Sequence, residues 1–115
     1  VCVPHTVWYR HSLRWRARDG FCPLGPEVAP RAAVSDPGSL EISVELDGQP
    51  VHRAPTGDRV RDIATLIADV SAFMTLNPGD LLMLGVAHGA PQVRAGQRAR
   101  LTAPGLAPLD IGFEA

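Results

Sequence analysis

The side chains with chemistry to offer are few, and most stand near the front of the chain. Arg10, Arg14, Arg16 and Arg18 are followed at once by Asp19. Arginine clamps a carboxylate through two parallel hydrogen bonds and stays charged, so these arginines suit recognition of an organic anion rather than proton transfer. Asp19 can orient Arg16 or cap the loop that follows it. Farther along, His88 lies between Gly85 and Gly89 in a loop of small residues, where an imidazole can act as acid or base near neutral pH. For each of these the competing reading is an ordinary surface or loop residue. His5 and His11 stand six apart and have no spacing that suits a metal. The chain has no lysine, which excludes Schiff-base chemistry.

The stretch that must position these groups runs from Arg18 to Pro30. It holds three prolines (Pro23, Pro26, Pro30) and two glycines (Gly20, Gly25) in thirteen residues. Proline locks φ and glycine opens values closed to other residues, so this stretch is neither a regular helix nor a central strand. A stiff apolar loop of this kind serves as a pocket wall or as a rigid connection. Cys22, between Phe21 and Pro23, is expected to be a buried small apolar side chain. With Cys2 it makes no disulfide framework, and no Cys-x-x-Cys pair suggests zinc.

At 115 residues the chain is one domain at most, and 45% hydrophobic residues is ordinary for a globular protein. No apolar run approaches the roughly 18 residues a membrane span needs, so a soluble, cytoplasmic protein with no membrane partner is expected. The net charge of −1 hides a polarity, because residues 1–18 carry four arginines and no acid. Arginines interleaved with Trp8, Tyr9 and Trp15 suggest nucleic-acid binding by charge and stacking. Four charges on one short arm fall short of a basic domain, however, and no nucleic-acid partner is expected. An arm that binds carboxylates, or a solvated strand face, explains them as well.

Coarse patterning predicts an α+β domain, mostly β, over 1–115, with one amphipathic helix packed on the sheet. Residues 1–17 alternate loosely, as a strand-like arm would, and 18–39 form the Pro/Gly-rich loop. Residues 40–115 hold the strands and the helix. Leu40, Ile42, Val44 and Leu46 alternate with Glu41, Ser43 and Glu45, giving a strand with one dry and one solvated face. Asp47-Gly48 predicts a hairpin into Pro50–Arg53. A helix over 59–74 is expected, with Asp58 as N-cap, Asp62 in its first turn and an apolar face of Val60, Ile63, Ile67, Val70 and Met74. Leu81–Leu84, apolar on both parities, reads as a buried strand. Short strands near 97–103 and 109–113 close the chain.

Several of these segments together resemble the fumarylacetoacetate hydrolase family. Arg18 to Pro26 resembles its F-D-x-F-x-P-x-G-P loop. Leu40 to Gln49 resembles the following strand and turn. Asp62-Ile63, Leu66-Ile67, Ser71, Leu76, Pro78-Gly79-Asp80 and Leu84-Gly85 resemble its helix and L-x-P-G-D strand. Ala95-Gly96-Gln97 and Pro104-Gly105-Leu106 are similar to the final strands. Pro4-His5, Tyr9-Arg10 and Arg18 to Pro23 look most like the branch that works in homoprotocatechuate (4-hydroxyphenylacetate) breakdown.

The resemblance implies an incomplete β-roll, the C-terminal part of a catalytic domain. It also implies a decarboxylase/isomerase of unsaturated 2-oxo acids, dependent on magnesium or manganese and assembled as a homo-oligomer such as a dimer. Family members hold the cation through three acidic side chains, two from a Glu-x-Glu strand and one an Asp that would stand just before Val1. The resemblance places none of these in this chain, so no metal ligand is expected here. Arg16 stands where the family has a lysine, which keeps binding and removes a proton carrier. Leu84-Gly85-Val86-Ala87 replaces a frequent Thr-Gly-Thr-Pro. The expected contacts to a small organic acid are Arg10, Arg16, Asp19 and the wall residue Pro23, with His88 as acid or base. The isolated chain is then expected to be inactive, and a start at Val1 without methionine leans toward a fragment. Two alternatives stay open: an inactive binding or subunit-contact module for an organic anion or acidic partner, and a C–C bond hydrolase.

Overall fold

The computed structural model describes residues 1–5, 13–85 and 88–114. Its centre is a four-stranded antiparallel sheet: β1 (Glu41–Leu46), β2 (Gln49–Pro55), β3 (Arg98–Thr102) and β4 (Leu109–Gly112), in the order β2-β1-β3-β4. Two helices accompany it, the one-turn α1 (Leu13–Arg16) and α2 (Ile63–Ser71). Short 3-10 turns at Arg31–Ala33 and Pro37–Ser39 punctuate the long loop ahead of β1. The fold is α+β and mostly β.

Asp47-Gly48 makes the β1–β2 hairpin for a stated reason. Both residues take positive φ, 50° and 78°, as a type I′ turn requires. Asp47 also ties that hairpin to β3. Its N–H donates to the Arg98 carbonyl (2.8 Å), while its carboxylate accepts from Arg98 N–H (2.9 Å) and from Gln97 Nε2 (3.1 Å). The register shifts between Val44 and Glu45, so β2 carries an extra residue, Val51, between Pro50 and His52.

Register separates the two faces. Ile42, Val44 and Leu46 pair across with Ala54 and His52 on one side and with Ala99 and Leu101 on the other. Ala99 and Leu101 in turn face Ile111 and Leu109. Glu41, Ser43, Glu45, Arg53, Arg100 and Asp110 take the opposite face. There Arg53 pairs with Glu41 at 3.0 Å and Arg100 with Asp110 at 3.3 Å. Both pairs are exposed and each is worth about 0–1 kcal/mol. The solvated face expected for the Glu41-Ser43-Glu45 strand is only partly so: Glu41 is exposed, but Ser43 and Glu45 are half-buried, as Ile42 and Val44 are.

The core is small. Among the described residues only Val34, Leu46, Ala99 and Thr56 are buried. Thr56 acts as a clip: Leu40 N–H donates to its Oγ1 (2.9 Å), its hydroxyl donates to the Pro37 carbonyl (2.7 Å), and its own N–H donates to the Leu40 carbonyl (2.7 Å). Gly105, with φ of 76°, lies against Ala33, where a Cβ would come within 2.7 Å of the Ala33 carbonyl oxygen. That approach brings the turn before β4 onto the turn that carries Val34.

Four sequence expectations need correction. Helix α2 starts at Ile63, not 59, because Asp62 rather than Asp58 is the N-cap; its carboxylate accepts from Thr65 N–H at 2.7 Å. Arg59 is instead held in a tight turn to Gly57, and Val60 is fully exposed. The half-buried stripe of α2 is Ile63, Leu66 and Val70, while Ile67, Phe73 and Met74 stay exposed. Residues 13–16, expected in a strand-like arm, form a helical turn closed by the Ala17 N–H to Leu13 carbonyl bond. Leu81–Leu84 forms no strand, since no described strand runs beside it. Cys22, expected to be buried, is exposed on a bend of the loop.

Two measurements check this account. Thr56→Val leaves Leu40 N–H and the Pro37 carbonyl unpaired, so urea unfolding should show a loss of about 1–3 kcal/mol. The Thr65 N–H bond lowers the Asp62 pKa from its ordinary 3.8. A depressed carboxylate stabilises above its unfolded pKa and loses that contribution as pH falls through the folded one. Helicity followed by circular dichroism should therefore fall below pH about 4, and Asp62→Ala should remove that step.

Candidate functional site

The start of the stiff loop is built by stacking. Arg14 lies over the Trp15 ring at 4.4 Å, and His5 stacks on the same indole at 5.8 Å, nearly parallel at 10°. Arg18, one helical turn beyond Arg14, donates from Nε to the Arg14 carbonyl at 3.0 Å and lies 5.8 Å from the Phe21 ring. Backbone bonds then hold the first residues of the chain on this loop, Val3 N–H to the Trp15 carbonyl and Val1 N to the Phe21 carbonyl, both 2.9 Å. Sequence reading missed this assembly. The signal was the i, i+4 spacing of Arg14 and Arg18 around Trp15, which a strand reading of residues 1–17 conceals.

With Arg14 and Arg18 engaged, Arg16 is left between them at the end of α1, exposed and with no carboxylate partner among the described residues. Asp19 is exposed in the next turn, and no hydrogen bond joins it to Arg16. Pro23 is half-buried farther along the same loop. His88 is exposed in a turn on a different stretch of chain, and no hydrogen bond or ion pair links it to Arg16 or Asp19. Arg10 lies outside the described residues, as do Val86 and Ala87. The structure thus gathers Arg16, Asp19 and Pro23 on one continuous segment and leaves His88 on another.

A shallow, open depression on the β1–β2 hairpin is lined by Ser43, Glu45, Pro50, Val51, His52 and Arg53. It contains none of the predicted site residues. His52 Nε2 is buried there without a hydrogen-bond partner among the described residues. Also among the described residues, no three His, Cys, Asp or Glu side chains converge where a cation could sit. The described residues do not fit a divalent metal by themselves.

The described residues thus offer a cationic, proline-stiffened loop and a small antiparallel sheet. The chain belongs to the fumarylacetoacetate hydrolase family: the description fumarylacetoacetate (FAA) hydrolase C-terminal matches residues 6–112. It is 37% identical over 110 residues to the homoprotocatechuate catabolism bifunctional isomerase/decarboxylase of Escherichia coli, covering 96% of this chain and 25% of that protein. It is 40% identical over 110 residues to the 4-hydroxyphenylacetate degradation bifunctional isomerase/decarboxylase of Salmonella dublin, with the same coverage of 96% and 25%. Among solved structures, maleylpyruvate hydrolase from Sphingobium sp. SYK-6 superposes with a TM-score of 0.82 at 34% identity, over 91% of this chain and 39% of that one. A second structure of that hydrolase holds a manganese(II) ion and pyruvate, with a TM-score of 0.76 at 34% identity over 82% and 36% of the two chains. The chain therefore spans about a quarter of the length of the curated relatives.

With no partner among the described residues, Arg16 has little structural work to do there. Arg16→Ala should leave the urea-unfolding free energy unchanged within about 0.5 kcal/mol.

Proposed function

We propose that this chain supplies the substrate-facing wall of a decarboxylase/isomerase acting on unsaturated 2-oxo di- or tricarboxylic acids in 4-hydroxyphenylacetate (homoprotocatechuate) breakdown. The observation that carries the reading is the identity of 37% and 40% to two bifunctional isomerase/decarboxylases along 110 residues. In this reading Arg16 and Arg10 hold substrate carboxylates through paired hydrogen bonds. Asp19 positions Arg16, Pro23 shapes the wall, and His88 gives or takes the proton that a permanently charged arginine does not. The divalent cation expected for the family is held by carboxylates outside this chain. The working enzyme is a cytoplasmic homo-oligomer.

A second reading rests on the likeness to maleylpyruvate hydrolase, with its TM-score of 0.82. There the same wall faces a 2-oxo acid whose C–C bond is cleaved by water. The two readings share an anionic substrate and differ in the bond broken.

The 115-residue chain alone, assayed with 2-hydroxyhepta-2,4-diene-1,7-dioate and magnesium or manganese, should show no turnover; turnover would refute the division of labour proposed here. In a protein that joins this chain to the rest of the fold, Arg16→Ala should cut kcat/KM by about tenfold to a hundredfold, chiefly through KM. Hydrolysis of maleylpyruvate without isomerisation of the heptadienedioate would favour the second reading.

A further inference from the structure

Aspartate followed by glycine is the sequence in which a backbone most readily attacks its own side chain. Glycine has no Cβ to shield its nitrogen, so that nitrogen can reach the aspartate Cγ and close a five-membered imide. The chain holds two such pairs, Asp19-Gly20 and Asp47-Gly48. Both are exposed, and both glycines take positive φ, 74° and 78°. Neither glycine has an atom within 4 Å of where a Cβ would stand. Sequence and exposure therefore do not tell the two pairs apart.

Hydrogen bonding does. The Asp47 carboxylate accepts from Arg98 N–H at 2.9 Å and from Gln97 Nε2 at 3.1 Å. It must release both before the Gly48 nitrogen can reach its Cγ, which requires a local opening of the sheet corner. The Asp19 carboxylate has no hydrogen bond or ion pair among the described residues, and the Gly20 N–H has no backbone acceptor there. The turn that carries them is spanned by the Phe21 N–H to Arg18 carbonyl bond at 3.0 Å, which leaves both reacting groups outside it.

We propose that Asp19 is a site of spontaneous isoaspartate formation, and that the fold shields Asp47 from the same reaction. The Gly20 nitrogen attacks Cγ of the protonated Asp19 carboxyl. The carboxyl hydroxyl and the amide proton leave as water, and an imide then joins the two residues. Water adds to one of the two imide carbonyls. Addition at Cγ restores aspartate. Addition at the backbone carbonyl carbon breaks the original peptide bond and leaves the chain running through Cγ. The product has the same atoms, one extra methylene in the backbone and a carboxylate directly on Cα; nothing is oxidised or reduced. The extra methylene falls inside the Arg18–Phe21 turn, between Arg16 and Pro23. On the function proposed above it displaces the group that positions Arg16; that consequence rests on that reading, and the isomerisation does not.

The test is to hold the 115-residue chain for several weeks at neutral pH and body temperature. Isoaspartate is then read by electron-transfer fragmentation of peptic peptides spanning 19–20 and 47–48, and by methyl transfer from a protein isoaspartate methyltransferase. It should accumulate at Asp19 at least about tenfold faster than at Asp47, the least that opening two bonds to a charged group costs. In concentrated urea the two rates should become alike. Gln97→Leu should raise the rate at Asp47 in the folded chain and leave that at Asp19 unchanged. Asp19→Glu, whose longer side chain would have to close a six-membered ring, should remove the signal at 19. No isoaspartate at Asp19, or equal rates at the two sites in the folded chain, would overturn the proposal. So would a difference between the sites that persists in urea. In a protein that joins this chain to the rest of the fold, isoaspartate at Asp19 with kcat/KM unchanged would support the modification and count against a positioning role for Asp19.

Discussion

The sheet depends on the corner at Asp47. A hairpin needs left-handed backbone there, and a residue with a side chain occupies that region at some cost unless something holds it. What holds it is β3: one backbone bond to Arg98 and two carboxylate bonds, to Arg98 N–H and Gln97. The same three contacts therefore shape the β1–β2 turn and dock that hairpin onto a strand some fifty positions farther along. Thr56 closes the opposite end of β1 and β2 in the same economical manner, with one hydroxyl serving as acceptor for Leu40 and donor to Pro37. A sheet stapled at both ends by polar groups keeps its register with a core of very few buried side chains.

That economy explains which parts of the fold were legible in the sequence. The Asp47-Gly48 hairpin, the alternation from Leu40 to Leu46 and the two closing strands are local signals, and each appears close to its expected place. The start of α2 was misread by one acidic residue. Asp58 and Asp62 both qualify as caps by type, and only the contact with Thr65 decides between them. Leu81–Leu84 failed for a different reason. Its composition states how it is meant to be buried, and a strand is completed by its neighbour rather than by its own residues. Cys22 failed likewise, since the habit of free cysteine to be buried presumes a core within reach.

The candidate site was legible as chemistry and not as geometry. Arginine types and the proline-rich loop pointed to an anion-facing wall; Arg16, Asp19 and Pro23 lie on that one stretch, while Arg10 lies outside the described residues. The sequence set Arg10 and Arg16 apart as contacts but gave Arg14 and Arg18 no role of their own. The structure divides them: Arg14 lies over Trp15, and Arg18 lies by Phe21 and donates to the Arg14 carbonyl, while Arg16 has no such engagement among the described residues. Alternation in residues 1–17 hid this, because a period of two and a single helical turn are hard to tell apart across four residues.

The indole of Trp15, flanked by the imidazole of His5 and the guanidinium of Arg14, has a consequence outside binding and stability. Excited indoles respond strongly to nearby charge, so the colour and brightness of this ring depend on the first residues of the chain staying folded over the loop. The protein thus carries its own optical gauge at the start of the proline-rich loop, one that registers a disturbance there without any added dye.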